Sequence, residues 1–503
     1  MKAGCGKTAR PVWAADGGQR DGRASSDPTA AKGGEGPNGR ESETALNLGR
    51  AKLQKSGEQL ELPYEDAGEA RQSDGSGEVL RATRGDERSG TGCLMEQVVE
   101  KANLKAALKR VRQNKGGPGI DAMTVGELTE YLKREWERIR GELLSGKYQP
   151  QPVRRKTIPK AGGGERELGI PTVLDRFIQQ ALLQVLQPRF DPDFSDHSYG
   201  FRPKRRAHQA IERAQSYVQE GRRVVVDVDL AKFFDRANHD IVMERVSRKI
   251  ADKRVLGLIR RYLEAGVMVS GVVVERHEGT PQGGPLSPLL ANVLLDEVDK
   301  ELEKRGHAFV RYADDLNVYV RSKAAGQRVF EGLKKLFGKL RLEVNEDKSA
   351  VDSAMRRDFL GYGFWVAKGG RIKRRVARKA LGTMKERVRE ITSRTGGRSL
   401  SAVAAELKAY LVGWREYFKL AETPHVFDDL DKWLRHRLRC LQLRQWKQEP
   451  TVYRELRARG VRKAVASEVA RFTPRWWHNS ALLLNSAMPK RFFDELGVPR
   501  LAP

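Results

Sequence analysis

Between Ala308 and Val320 the chain reads AFVRYADDLNVYV. β-branched and aromatic residues flank two adjacent acids, a pattern that predicts strand, tight Asp-Asp turn, strand. Such a hairpin carries the carboxylates of Asp314 and Asp315 at its tip. A lone Asp-Asp pair is ordinarily a solvated turn. Here a second element ends in the same way: Arg222 to Asp229 (RRVVVDVD) is an apolar β run that closes on an acid and leads into Phe233-Phe234-Asp235. If the two runs are neighbours in one sheet, Asp229 meets Asp314 and Asp315, and three crowded carboxylates repel one another unless cations lie between them. Mg²⁺ is commonly held through one or two carboxylates plus substrate phosphates. The pattern therefore predicts two Mg²⁺ ions, a phosphate substrate and in-line displacement at phosphorus.

The charge of the chain agrees. Its 503 residues carry a formal +28 with a pI near 10.0, which points to a polyanionic partner, nucleic acid ahead of membrane. Residues 1 to 93 hold 14 Lys and Arg against 15 Asp and Glu, a net of −1, so the remainder carries +29. That first segment is rich in Gly and Ser, has only Trp13 and Tyr64 as aromatics, and is expected to stay disordered. Gly6-Lys7-Thr8 has the ending of a phosphate-binding loop, but the first glycine of such a loop would fall at Met1 with no strand before it. Cys5, Cys93 and Cys440 form no CxxC pair, which argues against a zinc cluster or a disulfide framework and for a reducing compartment. No apolar run approaches membrane-spanning length and no signal peptide is evident, so an intracellular protein without a membrane partner is expected.

RYADDL, together with DVDLAKFFD (Asp227 to Asp235), resembles the palm motifs of reverse transcriptases. The wider set of blocks, from about Leu94 to the C-terminus, resembles the group II intron reverse transcriptases and maturases, in bacterial lineages that lack the endonuclease domain. The resemblance implies an α+β right-hand polymerase: fingers and palm over residues 94–366, an all-α thumb (maturase domain X) over 367–448, and a small basic DNA-binding tail over 449–503. It implies that Asp229, Asp314 and Asp315 are catalytic and hold the metal ions. Lys160 and Arg166, which bracket the Gly-rich tip of a hairpin (IPKAGGGERELGIP), match the triphosphate-contacting pair. Gln282, in TPQGGPLSP, matches the position that borders the nucleotide pocket, and Lys348, in LEVNEDK, a further triphosphate contact. Phe234, five residues after Asp229, matches the aromatic ring beneath the 2′ carbon of the sugar. Were residues 233 and 234 on an extended strand, only one of the two rings could face the pocket. The block SYGFRP (Ser198 to Pro203) is followed by Lys204, Arg205 and Arg206, which with Arg202 form a basic cluster suited to backbone phosphates.

Helical periodicity is expected over 94–114, about 125–144, 172–186, a long helix after Pro285, and then about 380–392, 400–420 and 428–447. The stretch KGGRIKRRVARK (Lys368 to Lys379) contains seven basic residues and no acid, and Arg371, Lys373, Arg374 and Arg375 within it are the candidates for RNA binding. Gly413 to Phe418 (GWREYF) resembles the domain X signature. Leu434, Leu438 and Leu441 form an apolar stripe, while Arg435, Arg439 and Arg444 lie off it and could also meet RNA. RWWH (Arg475 to His478) lacks the cysteine pairs and second histidine of an HNH nuclease.

The function implied is an RNA-directed DNA polymerase that also binds its intron RNA to assist splicing and mobility. Its partners would be group II intron RNA, an RNA template with a DNA primer, target DNA and deoxynucleoside triphosphates, in the bacterial cytoplasm and at the nucleoid when bound to DNA. Two alternatives stay open: an RNA-binding splicing cofactor whose polymerase has lapsed, and a domesticated or defence-associated reverse transcriptase. The three acids together with Lys160, Arg166 and Gln282 argue against decay.

Overall fold

The computed structural model describes residues 93–502 apart from 160–164, 270–271, 275–277, 280–282, 394–395, 473–483 and 486. The expectation for residues 1–92 lies outside the described residues. The first helical stretch is two helices, α1 (Leu94–Val98) and α2 (Lys101–Asn114), because Glu100 is extended and breaks the run. Helix α3 (Leu128–Leu144) buries Leu128, Leu132, Trp136, Ile139 and Leu143, the three- and four-residue spacing of one helical face. Strands β1 (Val153–Pro159) and β2 (Glu165–Ile170) pair antiparallel, as the hairpin pattern predicts. Helix α4 (Val173–Phe190) starts where the Thr172 hydroxyl accepts the Asp175 N–H at 3.0 Å, and nine of its first ten residues are buried. Its buried Asp175 is satisfied by the Thr172, Tyr148 and Tyr262 hydroxyls and the Gln151 N–H, so α4 can run through the fingers core without an orphaned charge.

Next come α5 (Ala207–Gln219), β3 (Val224–Val228), the one-turn α6 (Phe233–Arg236), α7 (His239–Ser247) and α8 (Lys253–Glu264). Strands β4 (Val267–Val269) and β5 (Val272–Val274) complete the fingers sheet, whose order is β2-β1-β4-β5. Helix α9 (Ser287–Lys304) leads to β6 (Ala308–Tyr312), β7 (Asp315–Val320), α10 (Lys323–Lys339) and β8 (Ala350–Ser353). The palm sheet has the order β6-β7-β3-β8 and is antiparallel throughout. Both of its faces are covered. Val226, Leu316 and Val318 join Leu290, Leu294 and Val298 of α9 in one core; Val225, Val310 and Tyr319 join Ala214 and Tyr217 of α5 in another. Double coverage is why β3 reads as a continuous valine run rather than an alternating one.

The third sheet, of order β11-β10-β9, contains β9 (Asp358–Phe359), β10 (Tyr362–Val366) and β11 (Ile372–Val376). Among the described residues every element that follows is helical: α11 (Arg378–Ile391), α12 (Leu400–Phe418), α13 (Pro424–Trp446), α14 (Glu449–Ala458), α15 (Lys463–Arg471) and α16 (Lys490–Glu495). The fold class is thus α+β with an all-α C-terminal part. Helices on both sides of residue 448 share one core, in which Leu438 and Leu443 pack with Leu456, Val469 and Phe493.

Candidate active site

Strand pairing of Tyr312 with Asp315 leaves Ala313-Asp314 as the two-residue turn. The turn is therefore one residue earlier than the Asp-Asp turn expected, and Asp315 opens β7. Ala313 has φ +58°, a left-handed conformation that costs a residue with a Cβ on the order of 1 kcal/mol, so something must hold it. Arg311 does so from inside. Its Nη1 donates to the Ala313 carbonyl at 2.8 Å and to Asn292 Oδ1 at 2.9 Å, while Nε donates to Asp299 Oδ1 at 2.8 Å. Arg311 is 1% exposed, and Asn292 and Asp299 are 0%. Asn292 also donates to the Gly200 carbonyl at 2.9 Å, and a Cβ on Gly200 would run into the Ala313 backbone nitrogen. The SYGFRP block is thereby packed as a strut under the turn, with Tyr199 N–H donating to the Arg311 carbonyl at 2.9 Å. Arg202 is correspondingly buried, paired with Asp191 at 2.9 Å. It supports this loop and is not placed to meet a phosphate, a correction to the basic cluster expected there.

Asp229 follows β3 directly. Strand register runs to Val228 opposite Leu316, and one further step sets Asp229 across from Asp315. Its backbone is gripped on both sides: the Asp229 N–H donates to Ser349 Oγ at 3.0 Å, and its carbonyl accepts from the Asn345 N–H at 2.8 Å and the Ser349 hydroxyl at 3.3 Å. Lys348, in the same segment, places Nζ 3.7 Å from Asp229 Oδ1. Arg357 ties this segment to the sheet, donating to the Lys348 carbonyl at 2.7 Å and to Asp227 Oδ2 from Nε at 2.8 Å. With its amide turned so that the NH₂ faces the carboxylate, Asn317 donates to Asp227 Oδ1 at 3.0 Å. Both oxygens of Asp227 are thus engaged by protein groups. Burial, opposed by Arg357, still holds Asp227 above the usual carboxylate range. Sequence reasoning missed Asp227, Asn345, Ser349 and Arg357; only the Asp-Val-Asp spacing, which puts Asp227 and Asp229 on one face of the strand, offered a signal.

A cleft of about 1330 Å³ gathers Asp229, Asp314, Lys348 and Phe234, with Arg176 and Gly283 on other walls. Phe233 and Phe234 belong to a helical turn rather than an extended strand, so both border the cleft. Phe233 is 3% exposed and anchored in the core, whereas Phe234 is only partly buried. Lys160 and Gln282 lie outside the described residues, and Arg166 is described only as the backbone position of β2 opposite Ile158. Desolvation, and after it the charges of Asp314, Asp227 and Asp229, push Asp315 up to about 6. Solvent still reaches that residue, so repulsion is the firmer of the two causes. Among the described residues no three acidic, His or Cys side chains form a ready-made metal cage. Asp229 and Asp314 nonetheless offer carboxylate oxygens of the kind that hold Mg²⁺ where substrate phosphates complete its shell, and a cation would relieve the negative field felt by Asp315. The residues fit the ion.

Of the four RNA-binding candidates, Arg374 is paired with Glu422 at 3.3 Å and Arg375 with Asp358 at 3.1 Å. These two therefore offer less free charge than Arg371 and Lys373, which stay at the surface end of the hairpin. Arg439 is likewise internal: it is 6% exposed and donates to the Met488 carbonyl at 2.8 Å, and desolvation brings it down to about 10. RWWH lies within the segment outside the described residues.

Residues 158–364 match the family described as reverse transcriptase (RNA-dependent DNA polymerase), and residues 381–460 match the group II intron maturase-specific domain. The Escherichia coli protein YkfC is 33% identical over 299 residues, which cover 51% of this chain and 78% of YkfC. The group II intron-encoded protein LtrA of Lactococcus lactis is 31% identical over 339 residues, covering 53% of this chain and 56% of LtrA. The chain thus spans little more than half the length of LtrA. A chain of a partial Cas6-RT-Cas1-Cas2 complex aligns over 49% of this chain and 42% of its own, at 24% identity and a TM-score of 0.33.

Proposed function

The chain belongs to the group II intron reverse transcriptase and maturase family, and from that membership we propose that it copies an RNA template into DNA from a DNA primer and binds its intron RNA to assist splicing and mobility. The observation that carries this reading is the convergence of Asp229, Asp314, Lys348 and Phe234 on one cleft. In the proposed reaction the primer 3′-hydroxyl attacks the α-phosphate of a deoxynucleoside triphosphate and pyrophosphate leaves. Asp229, Asp314 and Asp315 are the residues that would hold two Mg²⁺ ions. When bound, the ions supply Lewis-acid activation of the hydroxyl and neutralise charge on the phosphates.

This chain's own residues set the stage for that step. Ser349 and Asn345 fix the Asp229 backbone, Arg311 fixes the turn that carries Asp314, and Arg357 fixes the segment that carries Lys348. A preorganised site of this kind reorganises little during reaction. Lys348 lays an ammonium beside the triphosphate, and by family position Lys160, Arg166 and Gln282 contact the nucleotide as well. Arg371 and Lys373, with the ion-paired Arg374 and Arg375 behind them, belong to the RNA-binding surface, and target DNA is a further partner. No helix among the described residues is long and apolar enough to cross a membrane; we place the protein in the bacterial cytoplasm, and at the nucleoid when it holds DNA.

Asp314→Asn tests the reading. Primer extension on an RNA template should fall below detection while intron RNA affinity stays within about twofold, because phosphate contacts to the basic surface dominate affinity. Extension at the parental rate would refute the site. A parental protein that binds intron RNA but never extends a primer would favour the splicing cofactor with a lapsed polymerase.

A further inference from the structure

The hairpin of β10 and β11 presents two unlike faces. Tyr362, Phe364, Ile372 and Val376 point inward, and each is at most 4% exposed. Strand alternation turns Trp365 the other way, where it is 36% exposed and paired in register with Lys373, whose Nζ lies 6.0 Å from the indole centroid. Lys368 and Arg371 are exposed at the tip. Gly369 and Gly370 form that tip at φ +80° and +76°, and a Cβ at either would meet nothing within 4 Å. From Phe359 to Lys385 the sequence contains no acid. Among the described residues Lys368, Arg371 and Lys373 have no acidic partner, in contrast to Arg374 and Arg375. A large aromatic ring at the surface beside cations that no carboxylate neutralises is the combination of stacking platform and phosphate-facing charge by which single-stranded nucleic acid is held.

We propose that this outer face of the hairpin is a docking surface for single-stranded RNA, in which Lys368, Arg371 and Lys373 meet phosphates and one unpaired base stacks on the Trp365 indole. The proposal rests on the RNA-binding reading above and adds to it the kind of RNA and the residue that recognises it. Only an unpaired base offers its π face; in a duplex that face is stacked on its neighbours, and the deep groove of an A-form helix hides the base edges. Stacking tolerates any base, so this surface selects looped or unwound RNA without reading its sequence.

The test uses the full chain, an unstructured oligouridylate and a blunt-ended RNA duplex. Because Trp365 is a surface residue, Trp365→Ala should leave the melting temperature nearly unchanged. It should weaken oligouridylate binding by about 5- to 150-fold, the span of base–aromatic stacking, without changing the salt dependence and without affecting the duplex. Trp365→Phe should restore most of the loss. The triple variant Lys368→Ala, Arg371→Ala, Lys373→Ala should instead flatten the salt dependence for both probes. Parental affinity of Trp365→Ala for oligouridylate, or equal losses on the two probes, would overturn the stacking role and leave the RNA-binding reading intact. A parental chain that binds neither probe would overturn both.

Discussion

Phe234 is the residue on which the choice of sugar should turn. Its ring lines the cleft with Asp229 and Asp314, and it is positioned edge-on to Phe233, 5.1 Å away between centroids. Phe233 is the buried anchor and Phe234 the partly open face. A ribose hydroxyl against such a ring loses its hydrogen bonds to water without replacement. Phe234→Ala should therefore admit ribonucleotides, raising their relative kcat/KM by about 10- to 200-fold, while deoxynucleotide incorporation stays measurable. Single-nucleotide kinetics with an unchanged sugar preference in a folded variant would count against the assignment. At this scale the acids were legible because a carboxylate closing an apolar run is a local pattern. Ser349 and Arg357 were not. They act on Asp229 and Asp227 across 120 and 130 residues of chain, and no spacing in the sequence announces a contact that only the antiparallel sheet creates.

Helix α9 shows how an element serves a site that it does not line with carboxylates. Asn292 and Asp299 on its inner face hold Arg311, and Asp296 accepts the Ser195 N–H at 3.3 Å. Burial, and then the nearby Asp299 charge, raise Asp296 to about 6. An unfolded chain titrates this group near about 3.9, so the folded state holds the proton more tightly. The cost of the bare carboxylate is present above about pH 6, and stability rises as pH falls from there toward about 4. Asp296→Asn removes the titration. It should stabilise the protein at neutral pH on the order of 1 kcal/mol, discounted for the partial exposure of the carboxylate, and lose that advantage near pH ~4; thermal melts at the two pH values decide. The hairpin itself was legible as an element, but its register was off by one. The residues fit either register, and what selects Ala313-Asp314 is the interior grip of Arg311 on a left-handed alanine, which propensity alone disfavours.

In the whole molecule, the change from strand period to helix period after Val376 made an α+β part followed by an all-α part legible. The continuity of that helical part was not, because the boundary at 448 came from the family resemblance, while the packing runs straight across it. Its closure is specific: the buried carboxylate of Asp431 accepts the Leu501 N–H at 3.0 Å and the Ala502 N–H at 3.2 Å. Asp431→Ala would strand these donors, costing about 1–3 kcal/mol, and limited proteolysis should then clip the C-terminal segment before the palm. Unaltered proteolysis and melting would refute this closure. The ion pair of Arg311 with Asp299, twelve residues apart, also acquires a different meaning when the chain is considered as something that must be inherited. Losing either partner leaves an interior charge uncompensated, at about 3–5 kcal/mol, and replacing both at once with apolar side chains removes that charge but still strands the Asn292 and Ala313 oxygens that Arg311 serves, at about 1–3 kcal/mol each. Single steps at either position therefore run downhill in stability, and the two positions, with Asn292, behave as one heritable character.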